Sequence, residues 1–196
     1  MRTPLLLLTL LLAAPVRAQT TATDAPLPPV AALRILGTHS AAVHLDTIAR
    51  AHQATVLVFV GAKCGVTWLY ADKIAAFAAH YAARGVAVLL VHTNADETDA
   101  EIRAATAAHG LGKLPLLDDK PQEQLARAFG ATVTPLFVVL DKRGALRYQG
   151  AWDEMGGSVS DAKRIQYVLP AVAALLAGKN VAVRKTRALG CDLARQ

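Results

Sequence analysis

The chain has 196 residues, of which 54% are apolar, and an excess of lysine and arginine gives it a formal net charge of +6. This length and apolar content predict one domain with a sizeable hydrophobic core. The basic residues are scattered and form no stripe studded with aromatic side chains, which argues against nucleic-acid binding. Two cysteines are too few for a disulfide-dense scaffold.

Residues 1–18 are predicted to be a signal peptide. Arg2 supplies a positive start, an apolar run too short for a membrane span follows it, and Val16 and Ala18 suit a cleavage site. An uncut membrane anchor is the alternative. Residues 19–34 are predicted to be a flexible linker, because their first part is rich in threonine, alanine and proline. The mature chain is therefore expected to be secreted or periplasmic, without membrane attachment.

Alternating strand and helix patterns fill the rest of the chain. Residues 55–60, Thr-Val-Leu-Val-Phe-Val, form a continuous run of mostly β-branched and aromatic residues, which predicts a strand buried on both faces of a sheet. Gly85 and Gly110 mark helix ends. In chain order the patterns predict strand 43–45, helix 47–52, strand 55–60, helix 64–84, strand 86–92, helix 99–109, strand 114–117, helix 121–129, strands 136–140 and 145–149, and helix 161–177.

That order predicts one α/β domain over residues 35–180. Its central sheet is expected to be mixed and mostly parallel, with helices on both faces, because strands that alternate with helices pair in parallel. The closing hairpin adds antiparallel strands. Residues 181–196 are predicted to be an extended tail that carries Cys191.

Cys64 follows the first buried strand and begins the next predicted helix. The first turn of a helix presents unpaired N–H groups and a partial positive charge. A thiolate is stabilised there, so the position predicts a reactive sulfur. Lys63 would add to this effect if its ammonium reached the sulfur. A buried structural cysteine is the alternative interpretation.

Two segments carry a family resemblance. Residues 59–67, Phe-Val-Gly-Ala-Lys-Cys-Gly-Val-Thr, resemble the active-site segment of the thioredoxin superfamily, and residues 130–144 resemble that family's cis-proline strand and hairpin. More narrowly, the chain resembles the redoxin branch, the peroxiredoxin-like relatives of the alkyl hydroperoxide reductase and thiol-specific antioxidant proteins. The resemblance covers roughly residues 35–180 and implies a thioredoxin-like fold.

The resemblance also implies a thiol-dependent oxidoreductase acting on protein thiols or disulfides, with hydroperoxides as a further substrate class. Cys64 matches the attacking cysteine of the family. Pro135 would be cis and would face Cys64, and Thr134 would offer its backbone to an extended substrate. The implied partner is a protein thiol, a protein disulfide or an electron donor. No organic cofactor is implied, because cysteine carries the electrons.

The chain departs from the family pattern at several positions near Cys64, including Leu57, which stands where a full peroxiredoxin site has proline. Thr67 replaces the second cysteine, so local dithiol exchange is unavailable, although a hydroxyl there can donate a hydrogen bond to a thiolate. Lys63 replaces the usual tryptophan. Gly61 stands where a full peroxiredoxin site has threonine, which argues against peroxide activation. Together with Thr134 and Pro135, Thr67 and Lys63 are predicted to contact the substrate.

Cys191 is the candidate replacement for the missing second cysteine. As a resolving cysteine it would attack a mixed disulfide or sulfenate on Cys64. As a static bridge it would close a long loop, worth about 4–5 kcal/mol in the chain-entropy model. Exchange with another protein and an unpaired thiol are the remaining alternatives. The main rival function is a non-catalytic binding module with a permanent Cys64–Cys191 bridge.

The remaining ionisable residues predict no second chemistry. No two histidines are four residues apart on one predicted helix, so no metal site is expected. Asp96 and Glu97, and likewise Asp118 and Asp119, are interpreted as solvated loop carboxylates.

Overall fold

The computed structural model describes residues 30–38, 42–154 and 163–195. The predicted signal peptide and most of the predicted linker lie outside the described residues. The described end of that linker already belongs to the fold. Leu33 exchanges two backbone hydrogen bonds of 2.8 Å with Val43, and Arg34 begins the first strand. The domain therefore starts slightly before the predicted residue 35.

A mixed six-stranded sheet forms the centre of the described structure. In spatial order its strands are β1 (Arg34–Ile35), β4 (Leu116–Asp118), β3 (Val86–His92), β2 (Ala54–Val60), β6 (Leu136–Asp141) and β7 (Leu146–Gly150). Strand β3 pairs in parallel with β2 and with β4, whereas the other three pairings are antiparallel. The α/β prediction is confirmed. The expectation of a mostly parallel sheet is wrong, because β1 and the β6–β7 hairpin run against their neighbours.

Six helices accompany the sheet in the described residues. They are α1 (Leu45–Ala51), α2 (Gly65–Leu69), α3 (Ala71–Ala82), α4 (Asp99–Ala108), α5 (Gln124–Ala128) and α6 (Val168–Leu176). None of these helices is both long and apolar enough to cross a membrane.

Strand β2 divides the hydrophobic core into two clusters. All seven of its residues are buried, as the continuous apolar run predicts. Val56, Val58 and Val60 share one cluster with residues of α3 and α6, and Leu57 and Phe59 share the other with residues of α1 and α5. Because side chains alternate across a strand, β2 is covered on both faces. The carboxyl end of β2, which precedes Cys64, is consequently held by packed side chains on both faces of the sheet.

Two element predictions before residue 84 need correction. Val43 forms an isolated bridge to Leu33 rather than a strand, and Leu45 is already the first residue of α1. The single helix predicted over residues 64–84 is divided into α2 and α3 at Tyr70. The Tyr70 ring is 3% exposed, and its hydroxyl donates a 2.6 Å hydrogen bond to the buried carboxylate of Asp153. The junction between the helices is thereby anchored in the core.

The loop between β4 and α5 shows why the helix predicted from residue 121 begins later. The buried Asp119 carboxylate accepts hydrogen bonds of 2.8 and 2.9 Å from the N–H groups of Leu125 and Ala126. These are first-turn donors of α5, so the carboxylate sets the start of the helix. Asp118 is also buried and accepts a 2.6 Å hydrogen bond from Arg34. Both residues contradict their interpretation as solvated carboxylates.

The last helix is shorter than the predicted helix 161–177. Residues 161 and 162 lie outside the described part, and α6 begins at Val168. Pro170 therefore lies in the first turn, where the helix does not need its missing N–H group.

Candidate active site

Cys64 lies at the start of α2, just beyond the buried strand β2. It is 2% exposed and forms a disulfide with Cys191, with a Cα–Cα distance of 5.7 Å. Of the alternatives for Cys191, an unpaired thiol is therefore wrong for this state. Helix α2 has only 5 residues. A thiolate at its start would therefore be stabilised by the amide groups of one short turn rather than by the dipole of a long helix.

The peptide bond between Thr134 and Pro135 lies directly against the Cys64 sulfur. It is cis, as the resemblance implies, and the Thr134 carbonyl oxygen is 3.0 Å from Cys64 Sγ. The sulfur carries no hydrogen in the disulfide, so this distance describes a contact. In the reduced protein, a Cys64 thiol at the same place can donate a hydrogen bond to that carbonyl.

The tail that carries Cys191 adds a strand beside the cis-proline. Strand β8 (Cys191–Asp192) pairs antiparallel with β5 (Val133–Thr134), which places Cys191 opposite Thr134. The pairing continues where the N–H of Leu193 donates a 2.8 Å hydrogen bond to the carbonyl of Thr132. The predicted extended tail is thus an integral strand of the site.

Two hydrogen bonds to the loop after β3 hold the end of the tail. The N–H of Ala194 donates a 3.0 Å hydrogen bond to the side-chain oxygen of Asn94, and the carbonyl of Ala194 accepts one of 3.0 Å from Ala95. The tail is therefore held both by the disulfide at Cys191 and by these hydrogen bonds after it.

Two side chains add to this clamp. Leu193 is 8% exposed and belongs to the apolar cluster on the α1 and α5 side of the sheet. The Arg195 guanidinium donates to the carbonyl of Ala131 at 2.5 Å and lies 3.4 Å from the buried Glu123 carboxylate. None of these contacts involves sulfur. They can therefore hold the tail in place when the disulfide is reduced.

Glu97 is a site residue that the sequence interpretation missed. It is 3% exposed, and its two carboxylate oxygens accept hydrogen bonds of 2.8 Å from Ala62 N–H and 2.9 Å from Lys63 N–H. Its carboxylate thus fixes the turn that leads into Cys64, and its interpretation as solvated is wrong. The available signal was topological, because Glu97 follows β3 and the carboxyl ends of parallel neighbours meet at one sheet edge.

The Lys63 side chain is engaged with the loop after β3. Its ammonium donates a 2.5 Å hydrogen bond to the backbone carbonyl of Asp96, and the side chain is 55% exposed. Support of the Cys64 sulfur by this ammonium stays a hypothesis. Contact between Lys63 and a substrate stays a prediction.

Two threonine hydroxyls close to Cys64 are buried without a hydrogen-bond partner among the described residues. Thr67 is 0% exposed and Thr134 is 1% exposed. The Thr67 N–H donates to the Cys64 carbonyl at 3.0 Å, so the backbone rather than the hydroxyl links these two residues in the oxidised state. Buried polar groups without partners are uncommon, which makes these two hydroxyls notable features of the site.

His92, at the end of β3, is a buried histidine beside the Glu97 carboxylate. Its imidazole is 0% exposed, and Nδ1 is 3.8 Å from a Glu97 oxygen. Burial lowers the pKa of His92, and the charge of Lys120 lowers it further, although Glu97 opposes this. The ring is therefore neutral at neutral pH, and its contact with Glu97 is not an ion pair.

Within the described residues, no group of three histidine, cysteine or acidic side chains is arranged to hold a metal ion. That the protein needs no metal and no organic cofactor stays a prediction.

Comparisons with known proteins agree with this geometry. The Redoxin family matches residues 21–165. A hypothetical protein from Sinorhizobium meliloti 1021 is 28% identical with a TM-score of 0.69, over 88% of this chain and 96% of that one. An uncharacterized conserved protein from Geobacillus kaustophilus is 22% identical with a TM-score of 0.75, over 89% and 92%.

A third solved structure has a described activity. It is a secreted Mycobacterium tuberculosis disulfide oxidoreductase homologous to E. coli DsbE, 16% identical with a TM-score of 0.54, over 73% of this chain and 94% of that one. No curated protein matches the sequence. The matched residues and the fold together show that this chain belongs to the Redoxin family, within the thioredoxin-like superfamily.

Proposed function

We propose that the protein is a thiol–disulfide oxidoreductase in which Cys64 is the nucleophile and Cys191 is its resolving partner. One observation carries the proposal. The Cys64 sulfur touches the carbonyl of Thr134, directly before the cis-proline Pro135, and is bonded to a cysteine on the strand that pairs with Thr134.

The exchange proceeds in two displacements. The Cys64 thiolate attacks one sulfur of a partner disulfide, so that a Cys64–partner bond forms and the other partner sulfur leaves as a thiolate. The Cys191 thiolate then attacks Cys64 Sγ, forms the Cys64–Cys191 bond and releases the remaining partner thiolate. The partner gains two electrons and the protein loses them. A thiol donor must reduce the bridge before the next cycle, and the reverse sequence oxidises a partner dithiol.

Nearby hydroxyl groups are suited to support the Cys64 thiolate. Those of Thr67 and Thr134 are buried and have no partner among the described residues, so a charged sulfur would give them an acceptor. The exposed Lys63 and the peptide unit of Pro135 would meet the incoming partner. Hydroperoxides remain the lesser substrate class in this proposal, because Gly61 supplies no hydroxyl.

Export from the cytoplasm fits this chemistry. Residues 1–18 have the composition of a signal peptide. A disulfide such as Cys64–Cys191 persists in an oxidising compartment and is reduced in most cytosols. We therefore propose a secreted or periplasmic protein.

A static bridge in a binding module is the second candidate, and the burial of Cys64 favours it. Mild reduction followed by iodoacetamide labelling at about pH 6 separates the two functions. An exchange catalyst becomes labelled at Cys64 and reduces a model protein disulfide, and Cys64→Ser abolishes this turnover. A bridge that resists millimolar dithiothreitol, or a Cys64→Ser variant as active as the wild type, contradicts the proposal.

A further inference from the structure

We propose that residues 190–195, Gly-Cys-Asp-Leu-Ala-Arg, are a tethered copy of the peptide that this site accepts. The partner is then an extended segment with glycine directly before its cysteine and a large aliphatic residue two positions after it. The inference rests on the proposed function, because it requires disulfide exchange at Cys64. The inference specifies which peptide sequence can reach the Cys64 sulfur, and that this peptide must displace the C-terminal tail from β5.

The requirement for glycine comes from the close approach of the two strands. A Cβ atom at Gly190 would collide with the carbonyl carbon and oxygen of Thr134 and lie 3.2 Å from the nitrogen of Pro135. All three are backbone atoms of the Thr134–Pro135 peptide unit and cannot move aside as a flexible side chain can. A peptide with any side chain before its cysteine must therefore lie farther from the cis-proline, which takes its sulfur away from Cys64.

The requirement for an aliphatic residue comes from the alternation of side chains along the tail. Asp192 is exposed, whereas Leu193 is 8% exposed and lies in the apolar cluster that includes Leu136 and Phe129. The N–H of Leu193 also donates to the Thr132 carbonyl, which fixes the register. Strand addition of this kind draws affinity from backbone bonds and selectivity from alternate side chains. The position between the cysteine and the leucine is consequently unselective.

The tail competes with any such partner for β5. Arg195 binds Glu123 and the Ala131 carbonyl outside the paired strand, and Ala194 bonds to the loop after β3. These anchors keep the tail on β5 after reduction, so a partner peptide binds only when the anchors open. Removing the contacts of Arg195 should therefore raise the rate at which a peptide binds, without changing the intrinsic reactivity of Cys64.

The test uses the full-length Cys191→Ser protein with Cys64 converted to a mixed disulfide with thionitrobenzoate. The probe is the peptide acetyl-Leu-Gly-Cys-Asp-Leu-Ala-Arg-amide. Its thiolate attacks Cys64 Sγ, the peptide–Cys64 bond forms, and thionitrobenzoate leaves as a coloured anion, so no further reagent is needed. Two variant peptides replace the glycine by alanine or the second leucine by asparagine.

We expect each variant peptide to react about tenfold more slowly than the parent, because a backbone clash or a lost apolar contact weakens docking. Adding Arg195→Ala to the protein should raise the rate of the parent peptide about threefold or more, since one charged anchor is lost. Arg187→Ala, an exposed cation of the same tail, is the matched control and should change nothing. The small thiol 2-mercaptoethanol should react equally with all three proteins.

Equal rates for the three peptides would overturn the inference, and so would an Arg195→Ala rate equal to that of the control. If 2-mercaptoethanol releases thionitrobenzoate while the peptides are not distinguished, the proposed function survives and this inference fails. If Cys64 never forms the mixed disulfide in a folded protein, the proposed function fails. Should Cys191→Ser not fold, the same peptides are applied to the oxidised wild type, where they attack Cys64 and release Cys191, and mass spectrometry counts the adducts.

Discussion

The two cysteines of the disulfide are positioned in different ways. Cys64 follows β2, which lies between β3 and β6 and is buried along its whole length. Cys191 lies on a two-residue strand near the end of the chain, which pairs with β5 and is held by the side chains of Leu193 and Arg195. The first sulfur is therefore held by the core of the domain, and the second by a few contacts at its surface.

This difference separates the placement of the proposed nucleophile, Cys64, from the placement of its proposed partner, Cys191. A resolving cysteine must approach Cys64 and also leave it, which suits a short strand held by separable contacts. A purely structural bridge gains nothing from such an arrangement. Substitutions in the two regions should accordingly differ in which state of the protein they affect. Three measurements examine that difference, and a fourth gives the effect of a substitution outside both regions.

The largest expected effect comes from the disulfide itself. Cys64→Ser and Cys191→Ser should each lower the free energy of unfolding of the oxidised protein by about 4 kcal/mol, because the unfolded chain regains a long open loop. Urea unfolding measures both values, and the wild type in excess dithiothreitol is the control that should match them. A Cys64→Ser variant much less stable than Cys191→Ser would show that Cys64 has a packing role beyond the bridge.

Glu97→Gln should have the next largest effect, on the Cys64 side. The amide can accept only one of the two hydrogen bonds from Ala62 and Lys63 and turns a donor toward the other N–H, which costs about 2 kcal/mol. Urea unfolding measures the loss in both oxidised and reduced protein. Asp96→Asn is the matched control, because Asp96 is its neighbour and its side chain is 61% exposed. Equal stabilities for the two variants would contradict the assigned role of Glu97.

Arg195→Ala should have a smaller effect, confined to the tail. The buried Glu123 keeps Arg127 at 3.6 Å, so we expect a loss of about 1.5 kcal/mol rather than that of an isolated buried charge. In the reduced protein, hydrogen exchange at the Leu193 amide should quicken while exchange within β2 stays unchanged. Faster exchange in β2 as well would mean that the tail and the core open as one unit. Arg187→Ala again serves as the control.

The smallest expected effect lies in the β6–β7 hairpin, away from both cysteines. Asp141 accepts hydrogen bonds from Arg147 at 2.9 Å and from the N–H groups of Arg143 and Ala145. Burial by itself would raise the pKa of Asp141, but these bonds outweigh it and lower the pKa. The ionised carboxylate therefore stabilises the fold above the unfolded pKa of about 3.9.

Asp141→Asn should consequently cost about 1 kcal/mol at neutral pH. Its stability should converge with that of the wild type as the pH falls through the folded pKa of Asp141, because the wild type then loses the same interactions. Unfolding in urea over a series of pH values measures this convergence. Asp72→Asn, on the exposed face of α3, is the control. A stability difference that persists at low pH would contradict the assignment.

Local sequence patterns were sufficient to predict the structure wherever a residue's neighbours in sequence are also its neighbours in space. The unbroken apolar run of β2 was enough to predict a central strand. A strand with one exposed face typically alternates apolar and polar residues, and this run does not. The position of Cys64 after that strand, and of Pro135 before another, was enough for the resemblance. These features depend on backbone preference and burial, which a short segment of sequence already encodes.

Long-range contacts decided the rest. Asp119 and Glu97 look like ordinary loop carboxylates in sequence, and only the folded chain brings them to the N–H groups of α5 and of the turn before Cys64. The sheet has fewer parallel pairs than expected, because the orientation of β1 depends on which strand it joins. Strand direction and the partner of a buried charge are properties of the assembled layers.

By itself, therefore, the sequence determined an α/β domain of redoxin type with a candidate redox cysteine after its central strand. Only the tertiary structure decided that Cys191 returns to that cysteine, and that it does so as a strand beside the cis-proline. The physical reason is that a tail of mixed composition has little conformational preference of its own. Its strand exists because β5 offers unpaired backbone groups, an apolar cluster receives Leu193, and a buried carboxylate receives Arg195.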